Sequence, residues 1–97
     1  MIKEISADEL RAKLDSGADV FILDVRQPEE HAEQAIPGAT LIPLGELEER
    51  ISELDAYKDR EIIVYCQAGG RSANACMFLQ MFGFTNAVNL RGGILGW

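Results

Sequence analysis

The sequence predicts one α/β domain over residues 1–97, with a parallel sheet of about five strands flanked by helices. Two observations carry this. Val20-Phe21-Ile22-Leu23 and Ile62-Ile63-Val64-Tyr65 are continuous apolar runs, the pattern of central parallel strands covered on both faces. Amphipathic stretches separate them, and the 97 residues show no repeat, low-complexity tract or linker. A chain of this length buries roughly two thirds of its unfolded surface, enough for one core without metal or disulfide staples.

Along the chain, a short strand is expected over 2–5. Ser6-Ala7-Asp8-Glu9 has the Ser-x-x-Glu capping-box pattern, and Leu10 and Leu14 follow at i, i+4, so a helix is expected over 7–15, ending near Gly17. Asp24 and Arg26 close the first apolar run. Further short strands are expected over 39–42 and 87–90, and Leu47, Ile51 and Leu54 give helical spacing for 44–54. The second apolar run ends at Cys66, and Gln67-Ala68-Gly69-Gly70 then forms a turn into a helix over 71–82.

Composition excludes several functions. The formal charge of −7 opposes binding to nucleic acid, whose affinity comes largely from Lys and Arg neutralising phosphates. No apolar run reaches the ~18 residues of a membrane span, and the N-terminus lacks the apolar region of an export signal. The two cysteines, Cys66 and Cys76, match neither a secreted disulfide framework nor a zinc spacing. A soluble, cytoplasmic protein without metal is expected.

Ligands of open parallel sheets bind outside the carboxyl ends of the strands, where both Asp24 and Cys66 fall. Glycines after Cys66 allow successive N–H groups to turn inward as an anion-binding nest, and the following helix adds unpaired N–H groups at its start. Such surroundings lower a cysteine pKa from about 8.5 into the range of roughly 3.5 to 7.5, giving a nucleophilic thiolate without a histidine base. The one histidine, His31, lies in the acidic stretch Pro28-Glu29-Glu30-His31, on a separate helical turn, and is read as a surface residue. Cys76 is read as a packed residue of the last helix. Glu46, Glu48, Glu49 and Glu53 are read as a solvated face, Gly92-Gly93 as a turn and Trp97 as an edge of the core.

These residues resemble the rhodanese family. Asp24-Val25-Arg26 looks like its Asp-x-Arg signature, Ile36-Pro37-Gly38-Ala39 like its Ile-Pro-Gly-Ala turn, and Cys66 through Ser72 like its active-site loop. Leu90-Arg91-Gly92-Gly93-Ile94 through Trp97 is similar to its closing segment. The resemblance implies a three-layer rhodanese-like fold and a thiosulfate sulfurtransferase. Cys66 then carries sulfur as a persulfide between a donor such as thiosulfate and an acceptor such as cyanide, a thiol or a thioredoxin-like protein, without a cofactor. Gln67, Ala68, Gly69, Gly70, Arg71 and Ser72 are implied as the cradle, Arg71 adding positive charge for an anionic donor and the Ser72 hydroxyl bonding the loop or the sulfur. Asp24 and Arg26 are implied as loop-positioning groups, although an ion pair at a strand end explains them equally. Gln34 and Ala35 depart from the Gly-His that often precedes the family's Ile-Pro-Gly, which bears on the local turn. The chain also stops at Trp97 where relatives usually run on, so a domain trimmed from a longer protein is expected, a membrane segment downstream being compatible with it.

Two other functions compete. One is a docking or redox-sensing module using Cys66 oxidation. The other is a cysteine phosphatase or arsenate reductase, whose loop has five residues between cysteine and arginine. Here four separate Cys66 from Arg71, and Ser72 takes the next position.

Overall fold

The computed structural model describes residues 2–97. In chain order it runs Lys3–Ile5 (β1), Ala7–Asp15 (α1), Val20–Asp24 (β2), Pro28–Glu33 (α2), Thr40–Leu41 (β3), Glu61–Tyr65 (β4), Gly70–Met81 (α3) and Ala87–Leu90 (β5). Short 3-10 helices lie at Leu44–Glu46, Ile51–Tyr57 and Gly93–Gly96. All strand pairings are parallel, in the order β1-β5-β4-β2-β3. The five-stranded parallel sheet flanked by helices is the expected architecture.

The apolar runs are continuous because both faces of the sheet are covered. Ile62, Val64 and Cys66 join Leu23, Ala75, Cys76 and Leu79 in one core layer, whereas Ile63 and Tyr65 join Ile22, Leu10 and Ile94 in the other. Period-two alternation thus sends every second residue of β4 to the α3 side, and Cys66, next in phase after Val64, points the same way. Each buried Leu or Ile contributes roughly 1.5–3 kcal/mol.

Local chemistry sets the helix starts. Ser6 Oγ accepts from the Glu9 amide at 3.1 Å and a Glu9 carboxylate oxygen accepts from the Ser6 amide at 2.9 Å, the reciprocal box expected there. Pro28 opens α2 with its ring-fixed φ. One expectation fails. Residues 44–54 form no continuous helix but two 3-10 turns joined by a turn at 47–50. Leu47 and Leu54 are nonetheless buried, Leu47 from the connecting turn and Leu54 from the second 3-10 segment, where it lies three residues after Ile51. The edge strand β3 is also shorter than expected, two residues, with Ile42 and then Pro43 after it.

The chain leaves β2 toward β3 and leaves β4 toward β5, in opposite directions. The switch point therefore lies between β2 and β4, where Asp24 pairs in register with Tyr65, next to Cys66. A crevice opens at this place in parallel sheets.

Candidate active site

Cys66 leaves β4 into a loop whose turn requires glycine: Gly69 has φ 118°, a conformation L side chains rarely adopt. That geometry points the Gly69 N–H at Cys66 Sγ, 3.0 Å away, while the Ser72 hydroxyl lies 3.3 Å from the same sulfur. Burial pushes the Cys66 thiol up. The Ser72 hydroxyl and the amides of Ser72, Gly69 and Ala68 more than offset it, so its pKa falls below the ordinary thiol value. The nest expected from the glycines is present around the sulfur.

The loop is clamped from behind. Cys66 O accepts from the Ile94 amide at 3.0 Å and Gln67 O from the Leu95 amide at 3.2 Å. Holding these carbonyls outward leaves the other side of the loop backbone to its N–H groups. The approach is so close that a Cβ on Gly93, where φ is +59°, would sit 2.4 Å from Gln67 O and 2.5 Å from Cys66 O. Gly93 is thus part of the site's support and not simply a turn. Below the loop, Asn89 of β5 is buried; its Oδ1 lies 2.5 Å from Ser72 Oγ.

At the rim, Arg71 forms two parallel bonds of 2.9 Å to the carboxylate of Glu30 on α2. The Arg71 bonds draw the Glu30 carboxyl down to about 2. The positive charge assigned to the cradle is therefore already engaged by a partner that sequence spacing did not suggest. Asp24 and Arg26 form a second, buried pair: Asp24 accepts from Arg26 Nε at 3.0 Å, from a terminal guanidinium nitrogen at 2.8 Å and from the Tyr65 hydroxyl at 3.1 Å. Burial opposes ionisation of Asp24, but the bonds from Arg26 and His31 prevail and hold its carboxyl below the usual range. Arg26 also donates to Gln34 O at 2.6 Å, and the Ile36 amide donates to the Tyr65 oxygen at 3.1 Å. The pair therefore pins the 34–36 turn; its hydrogen bonds run there and to α2 rather than to the 66–72 loop. His31, expected at the surface, is half-buried and is tied to the pair: its Nδ1 lies 2.8 Å from Asp24 Oδ2. Arg26, Glu30, Glu33, Gln34 and Gln67 line a cleft of about 130 Å³ beside the loop.

A family model, the Rhodanese-like domain, matches residues 6–97. The chain belongs to the rhodanese family. A sulfurtransferase of Allochromatium vinosum is 39% identical over 97 residues, covering 100% of this chain and 89% of the relative. The human thiosulfate:glutathione sulfurtransferase is 33% identical, over 96% of this chain and 90% of that protein. Among solved structures, a rhodanese-like domain protein from Staphylococcus aureus superposes with TM-score 0.91 at 36% identity, covering 99% of this chain and 91% of that one. A human single-domain sulfurtransferase gives TM-score 0.84 at 32% identity over 100% and 96%.

Within this rhodanese domain, Cys66 through Gly69 form the loop and Gly70 through Ser72 the first turn of α3, with Gln67, Ala68 and Gly70 exposed and Ser72 buried. Cys76 lies buried in the core on α3, and burial alone pushes its thiol up to about 12. Three contributors escaped the sequence reading. Glu30 and His31 stood in an acidic run that reads as solvated, and Asn89 stood alone in Ala87-Val88-Asn89-Leu90. A single polar residue within a strand of buried residues was the available signal. Among the described residues no helix is long and apolar enough to cross a membrane.

Proposed function

We propose that this sulfurtransferase-family protein takes a sulfane sulfur from thiosulfate or a similar donor onto Cys66 and passes it to a thiol or cyanide. The observation that carries the proposal is the Cys66 sulfur held by the Gly69 amide and Ser72 hydroxyl at 3.0 and 3.3 Å, surroundings that lower the thiol's pKa and so raise its thiolate fraction. The Cys66 thiolate attacks the outer sulfur of thiosulfate; the new S–S bond forms as the old one breaks, and sulfite leaves with its electron pair. The resulting persulfide loses its outer sulfur to an attacking acceptor nucleophile, and the Cys66 thiolate departs regenerated. The loop amides stabilise negative charge in both halves of the cycle. No metal or organic cofactor takes part in these steps.

The name of the human relative supports glutathione as one class of thiol acceptor, and a thioredoxin-like protein is another. A reducing cytoplasm, which supplies such thiols, is the proposed location. The phosphatase reading loses its arginine clamp, because Glu30 already holds Arg71. A two-cysteine redox cycle is poorly served by Cys76, whose buried thiol resists ionisation. Thiocyanate formation from thiosulfate and cyanide tests the proposal: production by the wild type and none by Cys66→Ala is expected, and equal production by both would place the chemistry elsewhere.

A further inference from the structure

Ser72 Oγ carries one proton and faces three acceptors. Asn89 Oδ1 lies at 2.5 Å, Gly69 O at 3.2 Å and Cys66 Sγ at 3.3 Å. Which of them receives the proton depends on how the Asn89 carboxamide is turned, and its other neighbours decide that. Asn89 Nδ2 faces Glu4 Oε2 and Gly69 O, both at 3.4 Å, and neither a carboxylate nor a carbonyl oxygen can donate. The amide nitrogen must point at them, so Oδ1 must point at Ser72.

We infer that Asn89 is a positioning residue that draws the Ser72 hydroxyl proton away from Cys66 and thereby sets how readily that thiol ionises. With the proton on the 2.5 Å bond to Asn89, Ser72 turns an oxygen lone pair toward Sγ and accepts the S–H of the neutral thiol. Ionisation sends the S–H proton to solvent. The hydroxyl then swings to the thiolate, leaving Asn89 Oδ1 against an oxygen lone pair. Asn89 thus opposes the thiolate through Ser72, tempering the loop that stabilises it. The charged groups around the thiol are otherwise few. Arg71 from α3 senses Cys66 but is paired with Glu30 from α2, and Glu4 from β1 lies on the far side of Asn89. The Asp24–Arg26 pair closes the β2 side.

The inference concerns the ionisation of Cys66 and is testable whether or not the proposed sulfur transfer holds. The pH dependence of Cys66 alkylation by iodoacetamide, resolved from Cys76 by peptide mass, gives the thiol's titration midpoint. Asn89→Ala frees the Ser72 proton and is expected to lower the midpoint by about half to one pH unit, the size of one hydrogen bond. Asn89→Leu, which fills the space and keeps water out, is expected to shift it the same way. Ser72→Ala is expected to raise the midpoint, and adding Asn89→Ala to Ser72→Ala to change nothing further. A midpoint unmoved or raised by the Asn89 variants, or an equal shift when Ser72 is already alanine, would overturn the inference and reduce Asn89 to a packing residue.

Discussion

Replacing Gly93 with alanine tests the clamp behind the Cys66 loop. The added Cβ would stand 2.4, 2.5 and 2.6 Å from Gln67 O, Cys66 O and Gln67 C, all backbone atoms that cannot rotate aside. Ordinary van der Waals contact begins near 3.4 Å, so the segments must part by about 1 Å. A left-handed conformation at φ +59° costs a non-glycine residue roughly 1–2 kcal/mol. Overpacking adds about 1–3 kcal/mol. The Ile94 and Leu95 amide bonds to the loop carbonyls are then stretched, at roughly 0.5–1.5 kcal/mol each. Together these give an expected loss of about 3–8 kcal/mol in urea unfolding. A 1 Å displacement of the loop is expected to lower sulfur transfer on the order of 100-fold. Gly45, which has open space around it and no positive φ, is the control, and Gly45→Ala is expected to stay within about 0.5 kcal/mol of wild type. Wild-type stability and kcat/KM for Gly93→Ala would refute the clamp.

Other variants separate the roles around the loop. Cys76→Ala is expected to keep most of the transfer activity while costing about 1 kcal/mol of stability in denaturant titration, since it removes only core contacts; activity loss as great as in Cys66→Ala, with folding intact, would indicate a two-cysteine mechanism. Arg71→Ala is expected to move the Glu30 carboxyl, followed by NMR, from about 2 toward 4.5. An unmoved Glu30 titration would contradict the pairing. Asp24→Asn leaves the buried Arg26 charge unbalanced and is expected to cost about 3–5 kcal/mol in thermal or urea unfolding; a loss below 1 kcal/mol would argue against that dependence. Asp24 and Glu30 both have carboxyl pKa values lowered by folding, so their stabilisation is complete above their ordinary values of 3.8 and 4.5 and is lost as pH falls through the lowered ones, about 2 for Glu30. Acid unfolding across that window is expected, and Asp24→Asn should flatten it.

The sheet was legible because Val20 through Leu23 and Ile62 through Tyr65 are apolar without interruption, which few environments other than a twice-covered strand require. The Ser6 and Glu9 capping box was equally local and equally readable. The 44–54 segment was not, since Leu47, Ile51 and Leu54 satisfy an α-helix and 3-10 turns alike. At the site the same divide holds. The glycines after Cys66 announce a nest within one short loop, whereas Glu30 reaches Arg71 across 41 positions and Gly93 meets Gln67 only after the sheet is assembled. His31 and Asp24 are seven residues apart, yet their contact depends on α2 folding back over the end of β2. Such contacts are tertiary, and residue type alone does not signal them.

The central claim, that Cys66 carries the transferred sulfur, is tested most directly by intact-protein mass after brief incubation with thiosulfate, followed by addition of cyanide or a thiol. The account expects one added sulfur atom on the wild type, none on Cys66→Ala, and its loss when the acceptor is added. Sulfur retained on Cys66→Ala, or a wild type that turns over thiosulfate while never gaining mass, would contradict it.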